Sequence, residues 1–350
     1  MEAKSYANGI FSVAFGGNVA PTGGDLSADV HLWKQQLDAG TFGGATQATL
    51  DNAYAYHGVA GMTRAAGGAA PLLLQSGWTD ALFPVGQSLG AYDALRKADP
   101  SAPVALQVAD LGHGPGVNHP ADVAAFDRQG LAFFDAWLKA TAAGRPAPGS
   151  ATAYTMVCPA SARSGGGPYT AASFAALARG RFTLAATGAL RITSNGASAK
   201  LAAAVAGLSP AGALCTPRAP DRTSHAIVSA VSPGLTLLGL PVITATVATK
   251  GRDGQLDARV WDRDPGTGRQ RLITRGAYRL TDHQQGRVRF TLDGNGWRFA
   301  KGHRIVVELL GRDDPTYGPS PAAFRATLTK VRVALPVRER PSATAHVTRP

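Results

Sequence analysis

Two hydrophobic periods divide the sequence. Between 71 and 140 apolar residues come in short continuous runs and in stripes at helical spacing, whereas beyond about 240 they alternate with polar ones. PLLLQSG at 71–77 is an unbroken apolar run closed by glycine, the pattern of a parallel strand covered on both faces. Pro84 opens a predicted helix over about 85–98, because its fixed φ suits a first turn, and Asp99-Pro100 closes it. VALQVADLG at 104–112 is a second strand, followed by the polar glycine loop HGPGVNHP. A helix near 121–140 then carries Phe126, Phe133, Phe134, Trp137 and Leu138 as an apolar stripe. Strand, helix, strand, helix in this order predicts a right-handed βαβ unit with only two strands.

The flanks differ from this unit. Residues 1–70 mix helical patterns, such as DLSADVHLWKQQLDAG at 25–40, with Gly/Ala-rich joints, and predict a helical cap or lid remnant. TAAGRPAPGS at 141–150 has the composition of a linker, which puts the βαβ unit at 71–143. Downstream, VITATVAT at 242–249, LDARVW at 256–261, RVRFTLD at 287–293, HRIVVELL at 303–310 and FRATLTKVRVAL at 324–335 alternate with period two. Turn sequences such as GRDG, DPGTG and DGNG separate them. This predicts an antiparallel sandwich or jelly roll over 151–337, and the tail RERPSATAHVTRP at 338–350 is expected to be disordered. The fold class is therefore α/β followed by all-β.

Composition sharpens this picture in three places. The stretch GIFSVAFGGNVA at 9–20 is broken by glycines and Asn18, so neither a signal peptide nor a membrane span is predicted; the start of the chain reads as the middle of a longer polypeptide, for which export stays open. Charge is uneven: residues 1–150 hold 8 Lys+Arg against 12 Asp+Glu, and 151–350 hold 27 against 11. The basic half could meet a polyanion. Its arginines are nevertheless scattered singly along alternating strands, so solvated strand faces are the plainer reading and no nucleic-acid partner is expected. Cys158 and Cys215 lack any C-x-x-C spacing, and form either one disulfide or two buried free thiols.

Reactive groups of an open parallel sheet sit on loops at the carboxyl ends of its strands. Asp80, in GWTDALFP, follows the first strand, and His113, in LGHGPG, follows the second. An aspartate on one such loop and a histidine on the next can fix an imidazole tautomer and stabilise the imidazolium during proton transfer, so Asp80 and His113 are the candidate catalytic pair. The alternative is a helix-capping Asp80 and a polar loop histidine.

A third member is harder to find. GQSLG at 86–90 matches G-x-S-x-G, but that motif works as a strained turn between strand and helix, and Pro84 has already begun the helix here. Ser88 falls on its apolar face as a packing residue, and Ser76 lacks the leading glycine. His57, His119 and His303 read as surface or core residues. No ligand spacing suggests a metal or cofactor, and the aspartates of RDGQLDARVWDRDPG at 252–266 fit strand alternation and turns better than calcium.

With these motifs in view, the sequence resembles the hydrolases related to Xaa-Pro dipeptidyl-peptidase and bacterial cocaine esterase. PLLLQSGWTDALFP and VALQVADLGHG carry the likeness, together with LLGLPVITATV, LDARVWDRDPGTGRQRLITRGAYRL and FAKGHRIVVELLGRDDPTYGPS. The resemblance implies an α/β-hydrolase domain, an inserted helical cap and a C-terminal jelly roll. It further implies a serine hydrolase of small ester or peptide substrates, in which Asp80 orients His113 as general base. The family's nucleophile serine and its upstream strands have no counterpart, so the chain is expected to be inactive alone, the missing half lying in the same or a separate chain. A non-catalytic sandwich module binding carbohydrate or an anionic polymer is the competing expectation.

Overall fold

The computed structural model describes residues 58–65, 68, 70–139, 141, 144–162, 165–195, 198–207, 209–220, 226–339 and 345–347, with helical pieces at 35–36, 48–49, 51–52 and 55–56. Most of the expected cap, His57 included, lies outside the described residues; within it a helix α1 spans Val59–Ala65.

Strands β1 (Leu72–Gly77) and β2 (Val104–Ala109) pair in parallel, Leu72 opposite Val104 and Gly77 opposite Ala109, across helix α2 (Val85–Ala98). Every residue of β2 is buried, as its continuous apolar run requires of a strand covered on both faces. Helix α3 (Pro120–Leu138) follows, with Pro120 in its first turn. Of its expected apolar stripe, Phe126 and Phe133 are buried, whereas Phe134 and Leu138 are exposed.

The sheet does not stop at two strands. Residues 151–155 form β3, parallel to β2, and 166–171 form β4, antiparallel to β3, giving the order β1-β2-β3-β4. Both fall in the 151–337 stretch that sequence alternation assigns to the sandwich, and pairing corrects this. Five alternating residues such as ATAYT read alike in either sheet, and only their pairing partner distinguishes the two. Helix α4 (Phe174–Leu177) closes this part, where Leu177 joins Leu89, Tyr92, Leu95, Leu106 and Val108 in one core.

The sandwich is built from two sheets. Ten-residue strands β9 (Val242–Gly251) and β11 (Gln270–Arg279) and the nine-residue β10 (Gln255–Arg263) lie among β5 (Gly180–Ala186), β6 (Leu190–Thr193), β7 (Ala226–Val231), β8 (Leu235–Gly239), β12 (Gln285–Thr291), β13 (Asn295–Phe299), β14 (Arg304–Leu310) and β15 (Phe324–Val337). A four-stranded sheet runs β11-β10-β14-β7. An eight-stranded sheet is centred on β12-β9-β15-β5, with β6 and β8 on β15 and β13 on β8. Inward residues from both, including Ile243, Val247, Val260, Val307, Leu328 and Val333, fill the core between them.

Helix α5 (Ala199–Ala204) and the segments 205–207, 209–218 and 311–317 lie over the outer side of the four-stranded sheet, where Gln255, Asp257, Arg259 and Trp261 are buried as well. Between them sits an ionic network. The Arg259 guanidinium bonds Asp313 and lies 3.6 Å from Glu308, and Arg275 reaches Asp313 at 3.4 Å. Trp261 donates to Glu308 at 2.7 Å, and Gln255 donates to Asp257 at 2.7 Å. Burial, with Asp313 adding to it, pushes the Asp257 carboxyl well above the usual carboxylate range.

Cys158 and Cys215 form a disulfide with Cα atoms 5.3 Å apart, resolving the two alternatives left by the sequence. It ties the segment after β3 to the cover of the four-stranded sheet, and closing a 57-residue loop restricts the unfolded chain by roughly 4 kcal/mol. The expected disorder of 338–350 is corrected in part. Glu339 accepts from the Thr236 amide at 2.7 Å and its hydroxyl at 2.9 Å, Arg338 stacks on Tyr169, and strand β16 (Ala345–Val347) pairs with β5. A tail of polar composition is ordered here because its carboxylate and guanidinium meet fixed partners.

Candidate functional site

The two strand-end loops meet where β1 and β2 end. Beyond β1, the Trp78 amide donates to Ala109 O at 2.7 Å and its indole to Tyr154 O at 2.8 Å, which holds the start of the loop against the sheet. Asp80 then turns the chain: its Oδ1 accepts from the amides of Leu82 and Phe83, both at 2.9 Å. Its Oδ2 lies 3.2 Å from His113 Nδ1. The Ala81 amide donates to His113 O at 3.0 Å, so backbone and side chain lock the two loops together. The Asp80 side chain is 10% exposed and that of His113 56%.

The loop carrying His113 is shaped by buried polar groups. Asp110 accepts from the Thr79 hydroxyl at 2.6 Å and the Val117 amide at 3.0 Å, and burial raises its carboxyl above the ordinary value despite these bonds. Asn118 exchanges two hydrogen bonds with Gly112 at 2.7 and 3.0 Å. Gly112 has φ of +112°, and a Cβ there would run into the Asp80 carboxylate, so a glycine is required just before the histidine. Phe83 flanks the imidazole, ring centroids 5.6 Å apart. Among the described residues no serine hydroxyl bonds His113. Ser88 lies inside α2, as the sequence suggested, and Ser76 within β1.

The remaining histidines have structural partners. Buried His119 caps α3 and bonds Ala162 O, and His303 Nδ1 lies 2.9 Å from Asp262, which also accepts from the Trp297 indole at 2.9 Å. No group of three His, Cys, Asp or Glu suited to a metal occurs among the described residues.

Two features escaped sequence reasoning. The sandwich reaches the acid loop through the turn before β13: a Cβ on Gly294 would meet the Trp78 ring at 2.9 Å, and Met156 N bonds Gly296 O at 2.8 Å. Beside this contact a cavity of about 320 Å³ is lined by Trp78, Asp80, Leu82, Arg275, Asp293 and Tyr317. Glycine in a DGNG turn signals a hairpin in the sequence but not what packs on it.

Near the histidine loop, Asp122 is buried with both oxygens lacking a hydrogen-bond partner among the described residues. Burial pushes its carboxyl up to about 6; His119 opposes this and Asp110 adds to it. Because the folded chain holds this proton more tightly than the unfolded chain, the contribution is fully present below about pH 4 and is lost as pH rises through 6. Urea unfolding between pH 4.5 and 7.5 should therefore show stability falling by about 2 kcal/mol from this group. Asp122→Asn should flatten that limb, and an unchanged slope in the variant would refute the assignment.

Residues 229–349 match the family model described as the X-Pro dipeptidyl-peptidase C-terminal non-catalytic domain. No curated protein sequence matches the chain. Solved structures similar to it include an aminopeptidase from a marine sediment Thaumarchaeota archaeon, at 13% identity and TM-score 0.52, the match covering 79% of this chain and 56% of that one. A CocE/NonD family hydrolase from Staphylococcus aureus matches at 12% identity and TM-score 0.54, over 89% of this chain and 63% of that one. An α-amino acid ester hydrolase matches at 15% identity and TM-score 0.52, over 96% and 63%. The chain thus spans 56–63% of the length of these structures. The chain shares the fold of these solved hydrolases, an α/β-hydrolase-type sheet followed by a β-sandwich, and within that sandwich residues 229–349 are similar to the X-Pro dipeptidyl-peptidase C-terminal non-catalytic domain.

Proposed function

We propose that this chain supplies the acid and the histidine of a serine hydrolase acting on ester or peptide bonds, with Xaa-Pro dipeptides among the candidate substrates. The observation that carries the reading is the 3.2 Å approach of Asp80 Oδ2 to His113 Nδ1, with the other carboxylate oxygen held by two backbone amides. A carboxylate fixed in this way keeps the proton on Nδ1 and leaves Nε2 as the base. Nε2 would take the proton of a serine hydroxyl as that oxygen attacks the acyl carbon. The imidazolium, stabilised by Asp80, would then give the proton to the departing alkoxide or amine. Water repeats the sequence and releases the acid. The serine itself belongs, on this reading, to a polypeptide segment outside the described residues, in the same or a second chain.

A fluorophosphonate probe tests this. The chain alone should not be labelled, and labelling should appear when the complementary hydrolase segment is supplied and disappear again with His113→Ala. Strong labelling of the chain alone that is lost in Ser88→Ala would overturn the reading and restore GQSLG as the nucleophile.

A further inference from the structure

Independently of any hydrolytic role, the alternation that scatters arginines along the basic half of the sequence gathers them on one surface. In the eight-stranded sheet the inward positions are taken by Val288, Ile243, Val247, Leu328, Val333, Leu184 and Ile192. The outward positions carry Arg287 and Arg289 on β12, Lys250 on β9, Arg325, Lys330 and Arg332 on β15, Arg181 on β5 and Arg191 on β6, all exposed.

Strand register welds these into a continuous face. Arg289 is opposite Thr244, and Thr244 is opposite Arg332; Arg287 is opposite Thr246, and Thr246 is opposite Thr329. Lys250 is opposite Arg325, itself opposite Thr193, and Thr327 is opposite Arg191. These five strands contain no Asp or Glu. None of the eight cations makes an ion pair among the described residues. The one irregularity of the face adds to it: between Thr329 and Arg332 the register shifts, and Lys330, at φ of 52°, is the extra residue turned outward while Val331 is buried.

Cations placed about 7 Å apart along a strand and about 10 Å apart across two strands repel one another at low salt, because these spacings are within a Debye length. Such a face is unfavourable for stability and favourable for a ligand with charges at similar intervals. Its chemistry narrows the ligand further. Among the described residues of these five strands no aromatic side chain is exposed to offer a platform for stacking bases, and no large apolar side chain protrudes to enter a bilayer. Threonine hydroxyls lie between guanidiniums, which bind sulfate or phosphate oxygens in pairs while the hydroxyls suit sugar hydroxyls. We propose that the outer face of the eight-stranded sheet binds an anionic polysaccharide carrying sulfate or phosphate groups.

The test is heparin binding by the intact chain, followed by calorimetry at 50 and 200 mM salt. Binding is expected at 50 mM and should weaken at least about 10-fold at 200 mM, as release of several counterions requires. R287E/R289E/R332E should weaken it by at least about 10-fold, while R269E/K301E/R304E, which changes net charge equally at the β10–β11 turn, the β13–β14 turn and the first residue of β14, should stay within about 3-fold. All six residues are exposed, so both triple variants should keep the wild-type circular dichroism. Equal weakening in the two variants would reduce the effect to net charge and overturn the proposal. So would absence of binding at 50 mM, or tighter binding to DNA or to phosphatidylserine vesicles than to heparin.

Discussion

Asp313→Ala should cost about 3–5 kcal/mol of stability, the loss associated with removing one partner of a buried ion pair. Asp313 is fully buried and takes guanidinium contacts from Arg259, also fully buried, and from Arg275. Removing its carboxylate leaves two arginines with Glu308, 3.6 Å from Arg259, as the nearby acid, since burial drives Asp257 toward its neutral form. A domain holds only about 5–15 kcal/mol in all, so the variant should unfold at much lower urea concentration. Asp313→Asn keeps the shape and one acceptor and should fall between variant and wild type. A shift in the urea midpoint worth less than about 1 kcal/mol for Asp313→Ala would mean that solvent compensates these charges and that the network is not a dry one. Should Asp313→Ala fail to accumulate, Arg259→Met provides the second measurement, because it removes one of the two cations and leaves Asp313 paired with Arg275.

The second large effect concerns the candidate pair. On the proposed reading, in an enzyme assembled with the complementary hydrolase segment, Asp80→Asn should lower kcat by roughly 10⁴-fold with KM little changed, since the carboxylate acts when charge develops on the imidazole. The chain by itself offers a readout free of turnover. Its His113 Nδ1 proton, held by Asp80, should give a downfield NMR resonance that disappears in Asp80→Asn while the amide spectrum elsewhere is retained. A resonance unchanged in the variant would show that the 3.2 Å approach is not a hydrogen bond in solution.

Much of the architecture was legible because it is local. The run LLLQ and the start at Pro84 specify strand then helix from neighbouring residues alone, and α2 spans the interval expected of it. Period-two alternation marked β9, β10, β12, β14 and β15 before any pairing was known. The positions of Asp80 and His113 just past two strand ends followed from the same rules, as did the exclusion of Ser88, which helix geometry keeps out of a strand-to-helix turn. The resemblance to the dipeptidyl-peptidase and esterase hydrolases rested on longer segments of the same strands.

What the sequence left undecided or misassigned depends on a distant partner. ATAYT at 151–155 has the pattern of a sandwich strand and pairs with β2 instead, because an alternating pentapeptide is compatible with either sheet and the free edge of β2 takes it. Phe134 and Leu138 continue an apolar stripe on α3 and are exposed, since a stripe states which face seeks burial and not whether anything covers it. Cysteine pairing, the contact of Gly294 with Trp78 and the ordering of Glu339 on Thr236 all join residues tens of positions apart.

The basic surface draws the line most sharply. The sequence by itself determined that single arginines and lysines fall on the polar positions of several alternating strands and that acids are missing from those strands, because alternation is a property of one strand. Only the tertiary structure decided that β12, β9, β15, β5 and β6 lie side by side with those positions on the same side of one sheet, because register between strands is set by packing the shared core beneath them.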